Sequence, residues 1–254
     1  VAAVSRFVGE FALAQAVTDA LRGGPIAQRV LPCSDECSAL CLSGPLLTSG
    51  EGALLERELD KQVWVTVGTD GVLANYTAGQ PAGSLRASAY CPELADELWR
   101  RLKPALPGQR ALTALASTDW DRHPRWRPVG VNPLMRFIRY LPGHQLVAHY
   151  DAPYVFDERR RTLMSLVIYL SDAPCASEGG ATRMLHDTQH TSTHETRDFS
   201  DWRRCAVPSE VARVFRPHAG GALVFDHRLL HDGEPLSGQA RKTILRTDVV
   251  FEKC

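Results

Sequence analysis

His149 and Asp151, in the stretch AHYDAPY (148–154), are hard to bury singly, yet they stand in a segment patterned like packed β-structure. In an extended chain alternate side chains leave on one face, so an imidazole and a carboxylate at i and i+2 open into the same cavity. Both types ligate metals, but two ligands are not a site. The third is expected from far along the chain, brought close by the closing of a sheet.

The stretch GGALVFDHRLLHDG (220–233) offers His227 and His231. His231 is preferred, because it is followed by a turn, DGEPLSG, and then by a strand bearing cations, RKTILR. His149, Asp151 and His231 then make a two-histidine, one-carboxylate set, which leaves metal positions open and is diagnostic of non-haem Fe(II) oxygenases. Two neutral imidazoles and one carboxylate hold Fe(II) with one net positive charge. The open positions take a bidentate 2-oxo acid and then O2. A cation beyond the metal must hold the far carboxylate of that acid. On an extended strand Lys242 and Arg246 share a face with Ile244 and Asp248, and Tyr140 is a hydroxyl donor within the same set of strands.

Residues 132–251 resemble the Fe(II)/2-oxoglutarate-dependent dioxygenases of the prolyl-4-hydroxylase-like group. The matching pieces are RFIRYLPGHQLVAHYD, SLVIYLSD, GGATRML, GGALVFDHRLLHDGEP and RKTILRTDV, in that order. The resemblance covers about half the chain, and it is the order and spacing of several motifs that make it specific. It implies a double-stranded β-helix (jelly roll) core, iron on His149, Asp151 and His231, and 2-oxoglutarate, O2 and iron as cofactors, with ascorbate as a supporting reductant. It also implies a basic residue for 2-oxoglutarate on the last strand. Relatives commonly place it ten residues after the second histidine, at Arg241, whereas the LRTDV match aligns Lys242. Lys242 ranks first, Arg246 second and Arg241 third, with Tyr140 beside them. Related iron halogenases carry a small residue in place of Asp151, so the carboxylate speaks for hydroxylation. Arg136, Arg183 and Asn132 are the candidate substrate contacts.

The elements that must position these groups fall into two zones of one domain. Residues 1–125 carry most helical signals and form an α+β buttress; 126–251 read as short strands with Gly/Pro turns, which points to a mainly β jelly roll. An amphipathic helix is expected across Val4, Phe7, Val8, Phe11, Val17 and Leu21, ending at Gly23, and a second over CPELADELWRRLKPALP (91–107). KQVWVTVGTDGVLANYTAG (61–79) reads as two strands around GTDG. Strands are expected at 134–141, 145–150, 162–171, 180–185, 222–227 and 243–251, with a helical signal around 195–213.

With 254 residues, 44% hydrophobic and 23% charged, the chain is long enough for a sizeable core. A formal net charge of zero gives no general attraction to nucleic acid or to an anionic membrane. No run of 18 apolar residues occurs. Seven cysteines without a compact framework fit a reducing compartment, and the expected location is cytoplasmic. The chain opens on Val1, which leaves a removed leader open.

Several motifs have bland readings. His186, His190 and His194 recur every fourth residue like helical zinc ligands, but Thr191, Ser192 and Thr193 are poor helix formers, so an exposed loop is expected. Cys33, Cys37 and Cys41 share a helical face and read as packing, because a fourth ligand is lacking nearby. DERRRT (157–162) is a solvated charge run or a lid over an acidic substrate. The expected substrate is a small molecule or amino acid, with a protein side chain as the alternative. Two other classes compete: a cupin-like zinc or nickel hydrolase or isomerase, which would not need Lys242 or Arg246, and a non-catalytic relative serving as a sensing module.

Overall fold

A computed structural model describes residues 10–24, 28–32, 39–43, 45–72, 81–106, 126–172, 175–188 and 203–254. The elements run β1 (Glu10–Phe11), α1 (Gln15–Leu21), β2 (Gln28–Pro32), β3 (Ala39–Ser43), α2 (Ser49–Leu59), β4 (Val65–Val67), β5 (Ser84–Tyr90) and α3 (Pro92–Leu102). They continue with β6 (Trp126–Val131), β7 (Leu134–Tyr140), β8 (Leu146–His149), β9 (Arg160–Tyr169), β10 (Thr182–Leu185), β11 (Val211–Phe215), β12 (Ala222–Asp226), β13 (His231–Gly233) and β14 (Lys242–Lys253).

Two sheets face each other. The larger has ten strands in the order β1-β5-β7-β14-β9-β12-β3-β2, with β4 on β5 and β6 on β14; the smaller runs β11-β10-β13-β8. This is the jelly roll expected from the sequence. The larger sheet crosses the compositional boundary near residue 125, since β5 pairs with β7 and β3 with β12. The buttress therefore supplies sheet edges as well as helices.

Strand alternation sorts the larger sheet into two faces. On β14, Ile244 packs with Ile138, Val167, Tyr169, Leu223 and Phe225 and with Met184 and Phe215 of the smaller sheet. Its neighbour Leu245 packs with Phe137, Leu166, Ile168 and Val224 against α1, α2 and α3, through Leu21, Leu55, Leu59, Leu94 and Leu98. The first face looks into the cavity between sheets, and the second is sealed by helices. Lys242, Arg246 and Asp248 have the parity of Ile244, so β14 aims them all at the cavity.

The helices have local causes. Thr48 caps α2 by accepting the Glu51 backbone N–H while the Glu51 carboxylate accepts the Thr48 N–H. Pro92 opens α3, where its missing N–H is not needed, and the buried stripe Leu94, Ala95, Leu98, Leu102 faces the sheet. Arg101 is fully buried beneath both, bound to Glu51 at 2.7 Å, Glu97 at 2.8 Å and the Leu46 carbonyl at 2.9 Å.

Three expectations are corrected. The first helix begins only at Gln15, and Phe11 lies in β1, which pairs parallel with β5. Residues 1–9 lie outside the described residues. Of the two strands expected around GTDG, the first is present as β4 and pairs with β5, and residues 73–80 lie outside the described residues. Within 195–213, the described part is a single turn at Pro208–Glu210 and the start of β11, whose VARVF alternates with period two and pairs with β10. Cys41 lies in β3 rather than a helix, with Cys33 and Cys37 outside the described residues, as are His190 and His194. No helix among the described residues is long and apolar enough to cross a membrane.

Candidate metal centre and co-substrate pocket

His149 and His231 end adjacent antiparallel strands, β8 and β13, and stand opposite each other in register. Their ring centroids are 4.2 Å apart. Asp151 follows β8, held by its backbone N–H, which donates to the His227 carbonyl at 3.0 Å. The turn that delivers His231 is tied by Asp226, whose carboxylate accepts from the Arg228 backbone and guanidinium. One ligand atom from each of His149, Asp151 and His231 lies within 4.8 Å of the others. His149 Nε2 is 3.8 Å from Asp151 Oδ1, and His231 Nε2 is 3.7 Å from Asp151 Oδ2.

The donor chemistry fits a metal ion. His149 Nδ1 pairs with the Val147 carbonyl at 2.8 Å, and His231 Nδ1 with the Leu229 carbonyl at 2.9 Å. A carbonyl only accepts, so each Nδ1 carries the proton and each Nε2 lone pair faces the other ligands. Burial, reinforced by His149, pushes His231 down to about 3. Burial alone would raise the Asp151 carboxyl, but Arg246 and the histidines His231, His149 and His227 hold it well below its ordinary value. A neutral imidazole and an ionised carboxylate are the ligating forms.

Arg246 stands half-buried behind the triad. Its Nη2 lies 2.9 Å from Asp151 Oδ1, 3.2 Å from Asp248 Oδ1 and 3.2 Å from Ser165 Oγ. Ser165 also donates to Asp151 Oδ2. Asp248 is ringed by Arg136 at 3.3 Å, His227 at 3.4 Å and Asn132 at 3.3 Å. Against its burial, Arg246 and these neighbours bring Asp248 down to about 2.

Lys242 differs from Arg246. It is 3% exposed, and no carboxylate pairs with it among the described residues. Its Nζ sits 4.9 Å from the Tyr140 ring centre and 5.9 Å from that of Tyr169. Burial lowers it to about 8, partly offset by Glu234 and Asp232. Tyr140, opposite Lys242 in register, is pushed up to about 12 by burial. A buried ammonium without its own anion is costly unless an anion arrives.

The remaining candidates separate. Arg136 faces the cavity and is 21% exposed in its side chain. Arg183 is committed to Asp232 by two hydrogen bonds of 2.8 and 2.6 Å and to the Ala206 carbonyl, which makes it a strut of the smaller sheet and corrects the expectation of a substrate contact. Asn132 is buried, with its side-chain oxygen on the Leu134 N–H and its nitrogen on Asp248, so it positions Asp248. Arg241 leaves toward α2, where it pairs with Glu56 and Asp60; being next to Lys242 in the strand direction, it leaves on the opposite face. His186 lies at an exposed position after β10, and its N–H donates to the Glu210 carbonyl. In DERRRT, Asp157 pairs with Arg160 in the solvent.

Sequence reasoning missed Arg86 and Ser165. Arg86 lies on β5, opposite Ile138 of β7, and so faces the cavity. The alternation of Leu85, Ala87 and Ala89 with Ser84, Arg86 and Ser88 was the available signal. Ser165 carried none, because nothing in SLVIYLSD distinguishes a serine beside a ligand from any strand serine.

A jelly roll that places two histidines and one carboxylate at its mouth, each imidazole oriented by a backbone carbonyl, defines a mononuclear non-haem metalloenzyme of the facial-triad class. Residues 135–246 match the model of the 2OG-Fe(II) oxygenase superfamily, a span that holds the triad and both cavity cations of β14. The match spans less than half of the chain; together with the triad it marks this site as that of a 2-oxoglutarate-dependent non-haem iron oxygenase. No curated protein matches it. Among solved structures it is similar to a Pseudomonas putida prolyl-4-hydroxylase (16% identity, 94% of this chain and 98% of that one, TM-score 0.46). It is likewise similar to a viral collagen prolyl hydroxylase from Paramecium Bursaria Chlorella virus-1 (16% identity, 87% and 99%, TM-score 0.43). A third is the non-heme alpha ketoglutarate dependent carbocyclase SnoK from nogalamycin biosynthesis (15% identity, 91% and 87%, TM-score 0.47).

Proposed function

We propose that the enzyme hydroxylates an unactivated C–H bond of a small molecule or amino acid, with a protein side chain as the alternative substrate, and that Lys242 anchors the far carboxylate of 2-oxoglutarate. The observation that carries the second part is the Lys242 ammonium, buried on the triad's side of β14 without a carboxylate of its own among the described residues. Arg246 is less suited, because Asp151 and Asp248 already occupy it.

His149, Asp151 and His231 would hold the iron. Iron and 2-oxoglutarate, when bound, would supply the oxidising power, with O2 consumed and succinate, CO2 and a hydroxylated product released. The chain supplies position. Arg246 and Ser165 fix the Asp151 carboxylate, and the two backbone carbonyls fix the imidazoles. Lys242 offers a charge-assisted hydrogen bond in a site walled by Tyr140, Tyr169, Ile138 and Ile244, where low polarity strengthens it. Cys91, Cys175 and Cys205 form no disulfide among the described residues, which supports a reducing, cytoplasmic setting.

An anaerobic titration tests this reading. Fe(II) followed by 2-oxoglutarate should raise a visible metal-to-ligand charge-transfer band, which Lys242→Met should weaken by raising the concentration of 2-oxoglutarate required. Iron binding without a band would mean that the co-substrate is wrong, and a metal-dependent hydrolase or isomerase would take its place.

A further inference from the structure

Two arginines on neighbouring strands face the cavity with less carboxylate than they need. Arg86 on β5 and Arg136 on β7 are linked by register, since Arg86 is opposite Ile138 and Ser88 is opposite Arg136. Even-numbered positions on both strands therefore share the cavity face. Both side chains are partly exposed, as ligand-accessible groups must be. Among the described residues, Arg86 makes one hydrogen bond, from Nη2 to the Gly71 carbonyl at 2.9 Å, and its buried Nε has no partner. Among the described residues, Arg136 reaches Asp248 through Nη1 alone. Asp248 is already shared among Arg246, His227 and Asn132.

Burial lowers Arg86, and Arg136 and Arg246 add to the effect; burial also lowers Arg136, with Arg246 adding to it. Mutual repulsion of this kind is relieved by an anion.

The charges of the whole pocket point the same way. Among the described residues, four cations, Arg86, Arg136, Lys242 and Arg246, face Asp151 and Asp248, with Glu234 acting on Lys242 and Asp232 matched by Arg183. An Fe(II) ion and a 2-oxoglutarate dianion cancel each other. The loaded site thus keeps an excess of positive charge, and Lys242 is used by the co-substrate. The part left unsatisfied sits at Arg86 and Arg136. Two guanidiniums side by side present the planar forks that grip an oxyanion, a carboxylate or a phosphate, with two parallel hydrogen bonds.

We infer that Arg86 and Arg136 form the substrate-binding end of the pocket and that the substrate carries an oxyanion group, which these two guanidiniums hold while its C–H bond faces the metal. This rests on the oxygenase reading and adds a substrate class to it.

The test is equilibrium dialysis of the anaerobic holoenzyme, loaded with Fe(II) and saturating 2-oxoglutarate. The probes are benzoate, phenyl phosphate and the uncharged benzamide. The expected result is saturable binding of one equivalent of benzoate or phenyl phosphate, with benzamide failing to compete. The tighter of the two anions tells a carboxylate from a phosphoryl substrate. Arg86→Gln should weaken that binding at least tenfold, and Arg86→Lys should restore part of it. The charge-transfer band, recorded on the same samples, reports whether iron and 2-oxoglutarate are in place. With the band present, failure of both anions to bind, or equal binding by the Arg86→Gln variant, overturns the inference. Absence of the band in the unaltered enzyme would instead sink the oxygenase reading on which it rests.

Discussion

Arg246 Nη2 stands 2.9 Å from Asp151 Oδ1, so the carboxylate of the metal triad is itself held by a half-buried arginine from the central strand. The partner of a ligand is expected to matter nearly as much as the ligand. Arg246→Met would free Asp151 to rotate and leave Asp248 with Arg136 as its arginine partner. Iron affinity should fall by about 10- to 100-fold, measured by anaerobic Fe(II) titration. An unchanged affinity would show that Ser165 alone orients the carboxylate.

Asp151→Ala should abolish succinate formation and remove the effect of metal on stability. In the unaltered protein, Fe(II) at a hundredfold excess over its dissociation constant should add about 2.7 kcal/mol. For a chain of this size that raises Tm by about 5–10 °C. Thermal melts with iron and with a chelator check this, and a shift that survives in the variant would place the metal elsewhere.

Lys242→Met should leave iron binding intact and weaken 2-oxoglutarate by about 2–5 kcal/mol, the cost of losing one member of a desolvated charge pair. The pH dependence follows from the same residue. Its ordinary value of 10.5 is lowered to about 8 by burial. The ammonium is the form that binds a carboxylate, so affinity should hold below pH 8 and decline as the pH rises past it. Charge-transfer titrations between pH 7 and 10 would reveal this, and a flat profile would argue that Arg246 carries the co-substrate.

Arg183→Met should act on stability. It strips Asp232 of a bidentate partner in a site where Asp232 is fully buried. Breaking such a pair costs about 3–5 kcal/mol. Asp232 adjoins His231, so a loosened β13 should also weaken iron. Urea unfolding followed by Fe(II) titration separates the two effects; a variant of normal stability would return Arg183 to the list of substrate contacts.

Arg101→Met should loosen the helical face by a similar amount, because Arg101 joins Glu51, Glu97 and the Leu46 carbonyl with no exposed surface. Arg100, and then Arg101, hold the Glu97 carboxyl at about 2 against its burial, below an ordinary 4.5. A depressed carboxylate contributes stability above its unfolded value and loses it as pH falls. Stability should decline between pH 4.5 and about 2, and less steeply in the variant. Urea midpoints at pH 7, 4 and 3 would show it.

The β-rich half was legible because short strands with period-two patterning are written locally. Leu134–Tyr140, Ala222–Asp226 and Lys242–Lys253 all fall where alternation or an apolar run predicts them. Elements fixed by their neighbours were not. Trp126–Val131 is a strand because β14 offers it a ladder, and in Val211–Phe215 pairing with β10 decided between a short alternation and the helical signal around it. His231–Gly233 is too short to have a period at all.

The sequence by itself determined the chemistry: the HxD pair, a later histidine and a cationic last strand, since ligand types and strand parity are local properties. Tertiary structure alone decided how the cations divide their labour. Lys242 and Arg246 share one face of one strand, yet Arg246 meets Asp151 and Asp248 while Lys242 meets the faces of Tyr140 and Tyr169. Which carboxylate neutralises which cation depends on strands distant in sequence being brought opposite each other. The same closure delivers Arg86 beside Arg136 and ties Arg183 to Asp232, because charge pairing is a property of three-dimensional neighbours rather than of spacing along the chain.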